Sequence, residues 1–192
     1  MEINYLIDKK VNEKAKKNML YWAMASMVVF FGGFCSYDLV MHGNGNWLVF
    51  NLPSLFFVST AIILISSLTI WWAQKSIAVN NYGGARTGTL LTLLLGITFC
   101  VIQVAAWREL FMQGIVFAGR QSNVAGSIMY VITSMHFLHI VGGLIALTVT
   151  SFKVLRKKYS SENYLGLSLC AIFWHFLGAL WVILFLFLYL NR

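Results

Sequence analysis

Charge is what this chain has least of. Only 10% of its 192 residues are Asp, Glu, Lys or Arg, whereas soluble domains carry about 25%. An ordinary soluble domain is therefore excluded, and the composition places the chain in a membrane. Acid is scarcer still. There are six Asp and Glu in all, and among them Asp38 alone falls inside an apolar stretch. Ion-coupled carriers set ionisable groups near the membrane midplane and break helices there. This chain has neither device, and its single proline, Pro53, stands at the start of a span, where its missing N–H breaks no helical bond. Three cysteines, Cys35, Cys100 and Cys170, lie in different spans without a C-x-x-C pair and read as small buried hydrophobes. A catalytic triad, a phosphate loop and paired carboxylates are all missing, and no redox centre is apparent.

What remains is apolar: 59% of the residues are hydrophobic, with 15 Phe and 15 Gly. Five stretches reach the roughly 20 residues that cross about 30 Å of hydrocarbon: Met19 to Met41, Leu52 to Ala73, Thr87 to Trp107, Gly126 to Phe152, and Leu167 to Leu190. They are continuous, with none of the alternation of a β-barrel. The expected fold is an all-α integral membrane bundle of five transmembrane helices, organised as a cytoplasmic segment 1–18 and a membrane domain 19–192. The lead-in segment reads as amphipathic or disordered. It is charged, and the apolar run after it is too long for a cleaved signal.

The net charge of +8 is an orientation signal rather than a nucleic-acid footprint. Lys9, Lys10, Lys14, Lys16, Lys17, Lys75, Arg86, Lys153, Arg156, Lys157 and Lys158 fall on one side of a five-span chain, and only Arg108, Arg120 and Arg192 on the other. That predicts an N-in, C-out topology, with a contribution from anionic lipid head groups. Trp47 in the first loop and Trp71-Trp72 at the far end of the second span are expected at the two interfaces. Asn80-Asn-Tyr-Gly-Gly84 is expected to form a turn, and Arg108 with Glu109 a solvated pair.

Two clusters carry the chemistry: Thr133-Ser-Met-His136-Phe-Leu-His139-Ile-Val-Gly-Gly143, and Phe173-Trp174-His175-Phe176 with Trp181. Imidazole and indole nitrogens in an apolar span need partners. Three histidines raise the question of a haem or metal site, but the surrounding Phe137, Phe173, Trp174 and Phe176 crowd it. Helix-to-helix hydrogen bonding is the reading favoured for His136, His139 and His175, with His139 and His175 at a depth where they meet. The pairs Gly32-Gly33 and Gly142-Gly143 are expected to form a face for a neighbouring helix.

The order and spacing of these clusters resemble the last two helices of subunit III of the haem-copper terminal oxidases, which read approximately T-G-x-H-x-x-H-x-x-x-G and W-H-F-x-D-x-x-W. The likeness extends to Ala25-Ser-Met27-Val-Val-Phe-Phe-Gly-Gly33 in the first span, to Pro53, Ser59-Thr60 and Ser66-Ser67 in the second, and to Gln103 and Trp107 in the third. The length resembles the short five-helix bacterial form. The resemblance implies a non-catalytic accessory subunit of a bacterial inner-membrane oxidase. Such a subunit packs on catalytic subunit I and other oxidase subunits, binds phospholipid, joins a respiratory supercomplex, and leaves haem and copper to its partners. It also marks Gln103, Trp107, Thr133, His136, His139, Gly143, Trp174, His175 and Trp181 as structural residues. Where the family has buried acids this chain has Met27, Ala106 and Gly178. A related five-helix protein associated with nitric oxide reductase and a small stand-alone transporter are the alternatives.

Overall fold

The computed structural model describes residues 2–43, 52–119, 123–161 and 163–191, with side chains from Lys10 onward. Trp47, Arg120 and Arg192 lie outside the described residues. Within them are five helices: α1 Glu2–His42, α2 Leu55–Ala78, α3 Tyr82–Met112, α4 Val124–Leu155 and α5 Leu165–Leu190. All five are long and apolar enough to cross a membrane. The fold is an all-α bundle, as expected, and each helix runs a few residues past its apolar stretch or begins a few residues inside it. Helix α1 begins at Glu2 and runs without a break into the first span.

Neighbour relations define the architecture. Helix α2 packs on α3, α3 on α4, α4 on α5, and α5 returns to α2, closing a ring of four; α1 lies outside, in contact with α4 and α5. Only a narrow stripe of α1 faces the ring, with Met24, Met27, Phe31, Phe34 and Asp38 recurring every three or four residues. Phe31 and Asp38 are the two fully buried side chains of that helix among the described residues.

The tightest seam is the α2–α3 hairpin, and its turn is shorter than the sequence suggests. The Asn81 side chain accepts a hydrogen bond from the Gly84 N–H at 3.0 Å. Tyr82, Gly83 and Gly84 therefore open α3 instead of prolonging the loop. Asn80 takes the left-handed conformation, φ 55°, which asparagine tolerates well. A turn later, a Cβ added at Gly88 would stand 2.8 Å from the Ala73 Cβ and 3.0 Å from the Thr69 carbonyl oxygen. The two backbones touch at that point and only glycine fits. The hairpin turn is clasped from across the bundle: Asn80 donates to the Ser161 Oγ at 3.1 Å and accepts from the Ser161 N–H at 3.0 Å. At the same end the Lys75 ammonium lies 3.9 Å from the ring centroid of Trp71, and Trp71 and Trp72 are both exposed, as an interfacial belt requires.

Candidate functional site

The centre of the ring is built on Trp174 and Trp181 of α5, both fully buried. Their spacing of seven residues puts both indoles on one side of the helix. The Trp174 Nε1 donates to the Ser66 Oγ at 3.0 Å, and its ring lies where a Cβ on Gly96 or Gly143 would stand, 2.7 Å and 3.4 Å from ring carbons. One side chain thus touches α2, α3 and α4 from α5. Trp181 repeats the arrangement two turns on. Its Nε1 donates to the Thr60 Oγ1 at 3.0 Å. Its ring stacks on Phe56 of α2 and on His136 of α4, and meets Phe99 of α3 edge-on at a centroid distance of 5.2 Å. A third indole closes the α3–α4 seam, Trp107 Nε1 donating to the Thr133 Oγ1 at 3.0 Å.

All three bonds share one device. Each hydroxyl gives its proton to a carbonyl of its own helix one turn back: Ser66 to Ile63 at 2.7 Å, Thr60 to Phe56 at 2.7 Å, Thr133 to Met129 at 2.8 Å. The rotor is fixed and a lone pair is turned outward, which is what an indole, a donor without acceptor capacity, requires. Bonds of this kind between membrane helices contribute about 0.6 kcal/mol each. Thr133→Val keeps the shape and removes the acceptor. A loss of about 0.6–1.7 kcal/mol is expected in detergent unfolding, and a change below 0.2 kcal/mol, an arbitrary threshold of roughly a third of that mean, would show that the Trp107 bond carries no stability.

The histidines behave differently from expectation. His139 is bonded to its own helix, Nδ1 lying 2.7 Å from the Met135 carbonyl oxygen. His175 is partly buried and makes no hydrogen bond with any described residue, so the expected His139–His175 contact is not formed. His136 is fully buried between Phe31, Phe99 and Trp181. Both its ring nitrogens, and both amide atoms of the fully buried Gln103, have no hydrogen-bond partner. Each such group costs roughly 1–3 kcal/mol. The role assigned to imidazoles from sequence belongs in the structure to indoles. Among the described residues, no three His, Cys, Asp or Glu side chains are grouped to hold a metal ion.

The positions where acids were expected are dispersed. Met27 faces α4, beside His139. Ala106 is fully buried on α3. A Cβ on Gly178 would sit 3.2 Å from the Ser67 Oγ, in the α2–α5 seam. The glycine pairs also separate: Gly143 packs inside the bundle against Leu177 and Trp174, whereas a Cβ on Gly32, Gly33 or Gly142 meets nothing within 4 Å. Gly96 belongs to the third-span segment Gly96-Ile-Thr-Phe99 that shares the family resemblance, but the sequence does not show that it admits the Trp174 ring, nor that Thr60 and Ser66 pair with particular indoles. A signal for that pairing exists: Thr60 and Ser66 are six apart on α2, Trp174 and Trp181 seven apart on an antiparallel neighbour.

A family model described as cytochrome c oxidase subunit III matches residues 10–191. Similar proteins include the cytochrome c oxidase subunit 3 of Rhipicephalus sanguineus, 30% identical over 140 residues, and that of Aedes aegypti, 31% identical over 140 residues; each alignment covers 73% of this chain. That of Coturnix japonica is 30% identical over 132 residues, 69% of this chain. The alignments cover 51%, 50% and 48% of those proteins, so the chain spans about half the length of the curated relatives it matches.

Proposed function

Because the chain belongs to the cytochrome c oxidase subunit III family, we propose that it is a non-catalytic accessory subunit of a haem-copper terminal oxidase in the respiratory chain. It packs on the catalytic subunit and supports the side from which that subunit takes up protons. The observation that carries this reading is the family match over nearly the whole chain, together with a core in which three indoles bond across helix seams. Electron transfer and oxygen reduction belong to the haem and copper of partner subunits.

Gentle detergent purification through this chain is expected to bring haem-bearing polypeptides and a visible haem spectrum. A harsher wash that strips them should leave this chain colourless. A stoichiometric Soret band that stays with the stripped chain and disappears in His139→Ala would overturn the reading.

The proposed orientation is N-in, C-out in a bacterial inner membrane, supported by the distribution of Lys and Arg. Reporter fusions after Asn163 and after Arg192 are expected on opposite sides, and agreement between them would contradict it. Phospholipid binding is supported by a cavity of about 410 Å³ beside the end of α4, lined by Val149, Phe152, Lys153, Arg156 and Lys158. Three cations above an apolar floor match an anionic head group above its acyl chains.

Proton uptake by the complex proceeds without a titrating group at position 27. Met27→Leu conserves volume closely and is expected to leave turnover and pumping within about twofold of the parent, the kinetic equivalent of less than half a kcal/mol. Loss of pumping in an assembled Met27→Leu complex would refute this.

A further inference from the structure

Two cavities open along one flank of α1, where it meets α4. One, of about 330 Å³, lies between Phe34 and Tyr37 of α1 and the first two turns of α4. The other, of about 360 Å³, is lined by Ala23, Ser26, Met27, Phe30 and His139. The α1 positions 23, 27, 30, 34 and 37 recur at three and four residues and so lie on one line along the helix. Both cavities therefore open along that line and are taken together as one groove.

The second cavity has a one-sided chemistry. A carbonyl oxygen only accepts, so the 2.7 Å contact between the His139 Nδ1 and the Met135 carbonyl places the proton on Nδ1 and leaves Nε2 with a lone pair. Ser26 gives its hydroxyl proton to the Ala23 carbonyl at 2.8 Å and keeps its lone pairs as well. The cavity offers acceptors and no donor. Ser26 lies seven residues into the apolar stretch that begins at Met19, and His139 lies at the middle of Val124–Leu155. Ser26 is therefore about 10 Å and His139 about 15 Å inside the hydrocarbon. Acyl chains bring nothing to donate at that depth.

We infer that this groove receives a transmembrane helix of a partner subunit, which donates an uncharged N–H or O–H, from an indole, phenol or hydroxyl, to the Nε2 of His139. The inference rests on the accessory-subunit reading and adds the face and the chemistry by which the subunit docks. A charged donor is excluded by its cost at the bilayer centre. The walls are low where a second backbone must approach: Gly33 stands between Phe30 and Tyr37 on the same flank, Gly142 is one turn from His139, and a Cβ on either meets nothing within 4 Å.

A photoreactive benzophenone side chain placed at Ser26 in the full chain, expressed with its oxidase partners, tests the inference. Leu94, exposed on α3, serves as control. The Ser26 probe is expected to cross-link to a helix of a haem-bearing partner, at a segment carrying Trp, Tyr, Ser or Thr, and the Leu94 probe to lipid alone. Gly142→Leu should reduce co-purification about tenfold or more without changing the melting temperature of the chain by itself. His139→Phe should reduce it about threefold, and His139→Gln, which keeps an acceptor, should restore part of the loss. If the unmodified complex co-purifies but Ser26 cross-links only to lipid or to a second copy of this chain, the inference fails and the accessory role stands. If no haem protein co-purifies with the unmodified chain, both fail.

Discussion

Trp174→Ala is expected to be the most damaging single substitution in this chain, costing about 3 kcal/mol or more. Helices in lipid gain little from hydrophobic transfer, since the tails are as apolar as the core. The cost is instead the cavity left where one indole fills the space between Gly96 and Gly143, plus the lost bond to Ser66. Trp174→Phe retains most of the ring and loses the bond, so its expected cost is about 1 kcal/mol. Unfolding in mixed micelles, followed by tryptophan fluorescence with Trp107 and Trp181 retained, separates the two variants. Equal midpoints for Trp174→Ala and the parent would mean that the ring is not the spacer described.

The second large effect is expected at Gly143, and its neighbour is the control. A leucine at 143 would start 2.9 Å from the Leu177 Cδ1 and 3.4 Å from the Trp174 ring, and its remaining atoms would have to enter between two fully buried side chains. Overpacking of this kind costs typically 1–3 kcal/mol, and here it forces α4 away from α5. Gly143→Leu should lower the yield and thermal midpoint of the isolated chain, whereas Gly142→Leu should alter neither. If both variants melt with the parent, the close approach of α4 and α5 at this level is refuted.

The adjacent glycines show where the sequence is legible and where it stops. The five helices were readable because each needs about 20 apolar residues to span the hydrocarbon, a property of one segment by itself. Which face of a segment turns inward is a property of two segments, and hydropathy carries little of it when lipid and core are equally apolar. Gly142 and Gly143 are indistinguishable on that measure, yet one faces outward and the other admits an indole. The histidines were misjudged for a related reason. A neutral imidazole satisfies one nitrogen on its own helix, as His139 does on Met135, so its presence in a span does not require a neighbour. An indole carries its only polar atom, an N–H, on the far side of a wide ring, away from its own backbone carbonyls. Trp107, Trp174 and Trp181 therefore reach across a seam, and these contacts fix which helices adjoin. The hydroxyls of Thr60 and Ser66 were visible as part of the family resemblance, but their particular partners were not. The short α2–α3 turn was missed because Gly83-Gly84 resembles loop composition, while the cap at Asn81 and the close approach to Ser76 make glycine a helix-starting residue here.

The position of α1 outside the ring has a consequence for how the chain is made. Among the described residues, α1 contacts neither α2 nor α3, the segments synthesised directly after it; its neighbours are α4 and α5, which emerge later. Until α4 has emerged, α1 has none of its own neighbouring helices to pack on. A sequence in that position has to be tolerable to the bilayer alone, and α1 is built that way: its apolar window is only 6% buried even in the finished bundle. Closure of α5 onto α2, through residues 121 positions apart in the case of Trp181 and Thr60, waits until α5 has emerged. A ribosome stalled before Val124 should hold a chain with α1 inserted and unpaired, a state in which it is open to capture by a neighbouring protein before its own bundle is complete.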